Sequence, residues 1–375
     1  MSLPIRPIVL IIDDEPETIE HLVQNLAASV DARVFAPSDL GIEDLKRADL
    51  VLIDHRLEQW TERDGAQLSI SLRPQNGVAL AGILRSHLGG SAHSPTAFAI
   101  HSAHLRDLTG DLPISSREHS IARAYNLEWV FQKRQPGADP VPRISELAQA
   151  VAALPNFSCN DSVETIRSKV EQLLGLAPNL AWADRACREI ERCHPPIHEL
   201  SEWSHSLSVL RWLFQRILPY PCFLMDDNQL SARCGLGLES LQAALRESPT
   251  LSECFAGSEY QGLGKSFLGR RWWRAGIESS LWVVAGGESR SHRELAGLLA
   301  ELAHLQIEPL QLRNPVVTIG EDFKPAGMAD AEDAVRLQPD DWPPFADDAW
   351  ASLSQVNDIP GMKALVLDAD RDRLA

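Results

Sequence analysis

Short apolar runs that end abruptly in a polar side chain recur along the first part of the chain. Ile8-Val9-Leu10-Ile11-Ile12 runs into Asp13-Asp14-Glu15-Pro16, and Ala48-Asp49-Leu50-Val51-Leu52-Ile53 runs into Asp54. Thr96-Ala97-Phe98-Ala99-Ile100-His101 ends at Ser102, and Leu127-Glu128-Trp129-Val130-Phe131-Gln132 ends at Lys133. Runs this short, with little alternation, predict strands buried on both faces. Between the first two runs, Ile19, Leu22, Val23 and Leu26 recur at helical spacing within 17–27, and Ala32-Arg33-Val34-Phe35 is β-prone. Strands that alternate with helices predict an α/β fold with a doubly wound, five-stranded parallel sheet. The carboxyl ends of such strands form the crevice where open α/β sheets bind ligands.

After residues 135–140, a turn-rich stretch suited to a linker, the pattern becomes helical. Ile144, Leu147, Val151 and Leu154 share one face, while Val163, Ile166, Val170, Leu173 and Leu174 stripe a second helix begun by Asp161 or Ser162. That stripe has two readings, a homodimer seam and packing on the chain's own core. Helices are also expected over 184–193 and 199–217, the latter carrying Leu200, Trp203, Leu207, Leu210, Leu213 and Phe214. Residues 228–245 resemble a helix-turn-helix, with a small residue at Ser231, a turn glycine at Gly235 and a second helix after Gly237. Residues 260–274 are the candidate wing, with Arg270, Arg271 and Arg274 as the partner- or nucleic-acid-binding residues. The run 281–285 reads as a buried strand, 291–305 as a capped amphipathic helix and 310–319 as an extended segment.

An acid pair, a single acid, a hydroxyl and a lysine at the ends of successive strands resemble the receiver domain of two-component response regulators. The resemblance covers about residues 6–140 and implies a flavodoxin-like receiver. It casts Asp54 as phospho-acceptor, Lys133 as counter-charge, Ser102 as hydroxyl donor, and Asp13, Asp14, Asp54 and the Arg56 backbone carbonyl as the Mg²⁺ site. The implied donor is a histidine kinase or phosphotransfer protein. Two departures stand out. Receivers usually carry a Met-Pro step and then a glycine soon after the acceptor; here His55-Arg56-Leu57-Glu58-Gln59-Trp60 runs on to Asn76-Gly77, an insertion of about fifteen residues beside the site. Arg134 replaces the proline that usually follows the lysine, and Val130 stands where an aromatic is common, leaving Trp129 or Phe131 to substitute.

Length and charge shape the remainder. The 375 residues exceed one receiver and suggest 1–140 as receiver, 141–218 as a helical linker or dimerisation region, and 219–375 as an α+β, winged-helix-like output domain. Cys159, Cys187, Cys193, Cys222, Cys234 and Cys254 lack paired spacing, and no signal peptide or long apolar span accompanies them, so a reducing cytoplasm and no membrane are expected. Cys187, Cys193, His194 and His198 match no common zinc spacing. A net charge of −17 argues against a general nucleic-acid coat. Yet residues 260–293 hold six Lys and Arg against Glu278 and Glu288, whereas 321–375 hold thirteen acids against five bases, so a basic face masked by an acidic tail is expected. Gly262-x-Gly264 lacks phosphate-loop spacing, and 141–375 contain no nucleophile elbow or HExxH. No enzymatic output is expected beyond the receiver's own phosphoryl transfer and slow dephosphorylation. Three roles remain: a response regulator acting on a protein or DNA, a phosphate sink limiting flow to a second regulator as in bacterial phage-defence phosphorelays, or a degenerate receiver used for docking.

Overall fold

Five strands, β1 (Ile8–Ile12), β2 (Asp31–Phe35), β3 (Leu50–Asp54), β4 (Ala97–Ser102) and β5 (Trp129–Gln132), pair in the order β2-β1-β3-β4-β5, every neighbouring pair parallel. The computed structural model describes residues 6–64, 73–88, 95–103, 106–109, 117–133, 139–203, 205–359 and 361–374. The α/β architecture is compatible with a flavodoxin-like fold. The apolar runs map onto these strands because β1, β3, β4 and β5 are shielded on both sides: Leu50, Val51, Leu52 and Ile53 are all solvent-inaccessible.

The chain forms two compact units, described separately. The first comprises Met1–Leu173, Pro196–Gln215 and Ser266–Leu268; the second comprises Leu174–Pro195, Arg216–Lys265 and Gly269–Ala375. In the first unit, helices α1 (Glu20–Leu26), α2 (Ile42–Arg47), α3 (Gly77–Leu88), α4 (Arg106–Thr109) and α5 (Glu118–Ala124) connect the strands, and α6 (Val141–Ala152) and α7 (Val163–Leu173) follow them. One sheet face, carrying Leu10, Ile12, Val51, Ile53, Phe98, Ile100 and Val130, packs with Leu45 of α2, Leu80 and Ala81 of α3 and Ile121 and Ala122 of α5. In the turn after α1, Ser29 Oγ donates to Ser145 Oγ of α6 at 2.8 Å. Arg134 and the linker residues 135–138 lie outside the described residues.

Glu128 shows how later helices complete this unit. Its side chain is fully buried and accepts hydrogen bonds from the backbone N–H of Phe98 and from the guanidiniums of Arg85 and Arg211. Arg211 belongs to α10 (Leu207–Trp212), which follows α8 (Ala183–Arg192) and α9 (Ile197–Trp203) in the chain. The expected helix over 199–217 is thus two helices followed by a π turn, Leu213–Ile217. The wider π turn shifts the phase of the helix faces. Phe214 meets the ring of Phe267 at 4.5 Å while Gln215 donates to the carbonyls of Leu127 and Glu128. Phe267 also stands edge-on to Trp129 at 4.7 Å, with the Arg143 guanidinium 5.1 Å above its ring.

The second unit holds a two-stranded antiparallel sheet, β6 (Leu224–Met225) with β7 (Trp272–Trp273). Around it lie α11 (Asp227–Cys234), α12 (Leu238–Glu247), α13 (Pro249–Ala256), α14 (Arg274–Val284) and α15 (His292–Ala303). Asp226 caps α11 through a capping box with Gln229, and Gly235 ends it at φ 66°. A four-stranded sheet follows in the order β10-β11-β8-β9, built from β8 (Pro315–Ile319), β9 (Pro325–Asp330), β10 (Ala334–Leu337) and β11 (Ala349–Ser352), with α16 (Leu353–Asp358) after it. The run 281–285, expected as a strand, is instead the end of α14: Leu281 is buried, whereas Trp282 and Val283 are 57% and 75% exposed, so only one face of the run meets the core. Among the described residues, no helix is long and apolar enough to cross a membrane.

Candidate metal centre

Parallel strands deliver their last residues to one edge of the sheet, and here those residues are polar. Asp13 and Asp14 follow β1, Asp54 closes β3, Ser102 closes β4 and Lys133 follows β5. Asp13, Asp14 and Asp54 each place a carboxylate oxygen within 4.8 Å of the others. Lys133 Nζ lies 3.1 Å from Asp54 Oδ1 and 3.4 Å from Asp13 Oδ2. The backbone N–H of Lys133 donates to the Ser102 carbonyl at 2.8 Å, continuing the β4–β5 ladder one step beyond the strand. Ser102 is buried at that same edge. Arg56 sits two residues past Asp54 at the exposed start of the following loop.

The electrostatics are those of crowded acids around one cation. Burial pushes the Asp54 carboxyl above its ordinary range; Lys133 pulls it down by charge and hydrogen bond, Asp13 adds to the rise, and the net shift is upward. A buried, anion-rich cluster of hard oxygen donors is the chemistry a hard divalent cation takes, and Mg²⁺ with one or two carboxylates plus substrate oxygens fits this donor set. Asp13 is held separately, its Oδ1 accepting the N–H of Glu15 at 2.9 Å.

One residue here escaped the sequence reading, and a second, named there, gains a contact that only the fold shows. His101 pairs in register with Asp54 across β3 and β4, which places both on the sheet face opposite Phe98 and Ile100. It is 7% exposed and its Nε2 has no hydrogen-bond partner among the described residues. Burial, reinforced by Lys133, lowers its pKa to about 3, so the imidazole is neutral. Strand alternation was the available sign, obscured because His101 closes an apolar run. The second is Gly77, the first residue of α3. A Cβ on it would stand 2.1 Å from the Asp54 carbonyl oxygen, so the backbone of α3 touches that of the candidate acceptor. Gly77 thus returns to the end of β3 in space although the loop separates it from Asp54 along the chain. Residues 65–72 of that insertion lie outside the described residues.

The basic residues assigned to a partner surface sit in the second unit, each engaged within it. Arg270 bonds both carboxylate oxygens of Asp227 at 3.1 and 3.0 Å. Arg271 donates to the carbonyls of Leu218 and Arg270, and Arg274 pairs with Asp347 at 2.5 Å. Asp347 comes from the acid-rich tail. On α12 the exposed side chains include Glu239, Arg246 and Glu247.

No family model matches this chain. No curated protein matches it either.

Proposed function

We propose that the first unit is a phospho-accepting receiver in which Asp54 takes a phosphoryl group from a phosphohistidine of a partner kinase or phosphotransfer protein. The observation that carries this reading is Lys133, from the end of β5, meeting Asp54 of β3 and Asp13 of β1 at one sheet edge. An ammonium held there has a task in phosphoryl transfer, which depends on offsetting negative charge on the transferring oxygens.

In the proposed step, an Asp54 carboxylate oxygen forms the new P–O bond as the P–N bond to the donor imidazole breaks. The electron pair leaves with the imidazole, which takes up a proton. Lys133 balances charge at the phosphoryl oxygens, and the Ser102 hydroxyl donates to one of them. Asp13, Asp14 and Asp54 would hold Mg²⁺, with the Arg56 carbonyl as a further ligand; bound there, the cation supplies electrostatic stabilisation of the phosphoryl oxygens. The raised Asp54 carboxyl supports the same reading, because a carboxylate stripped of water by burial, with Asp13 adding to the rise, gains from an incoming cation.

Incubation with acetyl phosphate and Mg²⁺, followed by intact mass, tests the proposal. One phosphoryl adduct is expected on the native chain and none on Asp54→Ala. Equal labelling of both, or of neither, rejects Asp54 as acceptor; with neither labelled, the docking role is the reading left. For the output, the engagement of Arg270, Arg271 and Arg274 within the second unit, together with Glu239 and Glu247 exposed on α12, favours a protein partner or a phosphate-sink role over DNA.

A further inference from the structure

The loop after β3 reaches back to the proposed metal site. The Gln59 backbone N–H donates to Asp14 Oδ2 at 2.5 Å, across 45 residues of sequence. Asp14 lies beyond the end of β1. The donor itself is anchored: Leu57 is 1% exposed within the sheet core, and Trp60 packs against that core. Arg63 Nη1 reaches the Gln75 carbonyl at 3.5 Å, joining the two flanks of the loop, and Gly77 N donates to the His55 carbonyl at 2.9 Å, tying the far flank to the residue after β3. Independently of the acids, the Nε2 of His101, buried on the Asp54 face of the sheet, has no hydrogen-bond partner among the described residues.

Resting on the proposed function, we infer that residues 57–60 are a strap whose Gln59 amide is the positioning group for Asp14, orienting its carboxylate toward a divalent cation. One oxygen is taken by the amide and the other is left for the metal. Outer hydrogen bonds of this kind set the orientation of carboxylate ligands, and their loss typically weakens metal affinity about 10–100-fold. The strap gives the inserted loop a role: it reaches from the acceptor strand to the ligand of a neighbouring strand.

The test exploits the donor being a backbone N–H. Gln59→Ala keeps it, and Gln59→Pro deletes it. The probe is Mg²⁺ alone, titrated into the full chain, with the half-saturating concentration read from thermal stabilisation. Gln59→Ala is expected to match the native chain, and Gln59→Pro to need about 10–100-fold more Mg²⁺. Gln59→Pro binding as the native chain does, or more tightly, overturns the strap while leaving the metal site in place. Asp14→Asn is the control for that site: if it leaves Mg²⁺ stabilisation unchanged, the metal reading itself fails. Should Gln59→Pro lose a cooperative melt, Trp60→Ala, which frees the anchor but keeps the amide, decides the matter: weakened Mg²⁺ binding supports the strap and native binding overturns it.

Discussion

Lys133 Nζ stands 3.1 Å from Asp54 Oδ1, joining the residue that closes β3 to the residue that follows β5. The two strands are not neighbours, since β4 lies between them. The contact therefore spans the sheet edge and draws a buried acid and a buried-stemmed cation into one site.

That relationship predicts a pH dependence. Asp54 titrates near its ordinary value when unfolded and higher when folded, because burial outweighs the help of Lys133. Between the two values the folded state binds more protons, so stability is lost as pH rises through this window and stays lost above it. Asp54→Asn should melt above the native chain at neutral pH, with the gap shrinking as pH falls through the carboxylate range. Saturating Mg²⁺ should narrow the neutral gap by stabilising only the native chain. Parallel melting curves across this range would show that the raised carboxyl has no thermodynamic consequence.

Removing the cation should hurt chemistry more than folding. Lys133→Met keeps the aliphatic stem and deletes the charge, and loss of one such stabilising donor costs about 10²–10³ in rate. Acetyl phosphate labelling of Asp54 should slow by that order while the far-ultraviolet spectrum is retained. A labelling rate equal to the native one would show that Lys133 is not the counter-charge.

Gly77→Ala should strain the acceptor strand directly. The added methyl meets the Asp54 carbonyl backbone, which has no flexible side chain to yield, and overpacking of this kind costs about 1–3 kcal/mol. Urea denaturation should register the loss, accompanied by weaker Mg²⁺ stabilisation, because Asp54 must move. Gly82 on the same helix has open space around its Cβ position, so Gly82→Ala is the neutral control.

Glu128→Gln should be among the most damaging surface-distant changes in the first unit. It leaves Arg85 and Arg211, whose side chains are 26% and 29% exposed, without their shared carboxylate. Breaking a buried pair by removing one partner costs about 3–5 kcal/mol, and partial exposure of the guanidiniums points to the lower end. Equilibrium unfolding would measure it; a change under about 1 kcal/mol would place the cluster with ordinary surface pairs.

A fragment ending at residue 140 should fail to melt cooperatively. The first unit draws on α6, α7, α9, α10 and Phe267; Arg143 of α6 and Phe267 lie against Trp129 and Phe131, and Arg211 of α10 pairs with Glu128. A cooperative transition in residues 1–140 would show these later segments to be dispensable.

Much of the site was legible because strands buried on both faces announce themselves as unbroken apolar runs. Their abrupt polar ends mark the strand termini, and so Asp13, Asp14, Asp54, Ser102 and Lys133 were all nameable in advance. His101 was hidden for the same reason, reading as one more member of its run. The segment 281–285 misled because a five-residue apolar run has no period of its own. Only packing reveals that it continues α14, with Trp282 and Val283 turned outward.

For the parallel sheet, the amino-acid order alone determined where the strands lie and which polar groups end them, since solvent exclusion and side-chain periodicity are local properties. Tertiary structure decided what those groups meet. The Gln59 amide on Asp14, the Gly77 backbone on Asp54 and the engagement of Arg270 by Asp227 all join residues remote in the chain. Long-range proximity arises only when buried surfaces choose their partners, and no local pattern encodes that choice.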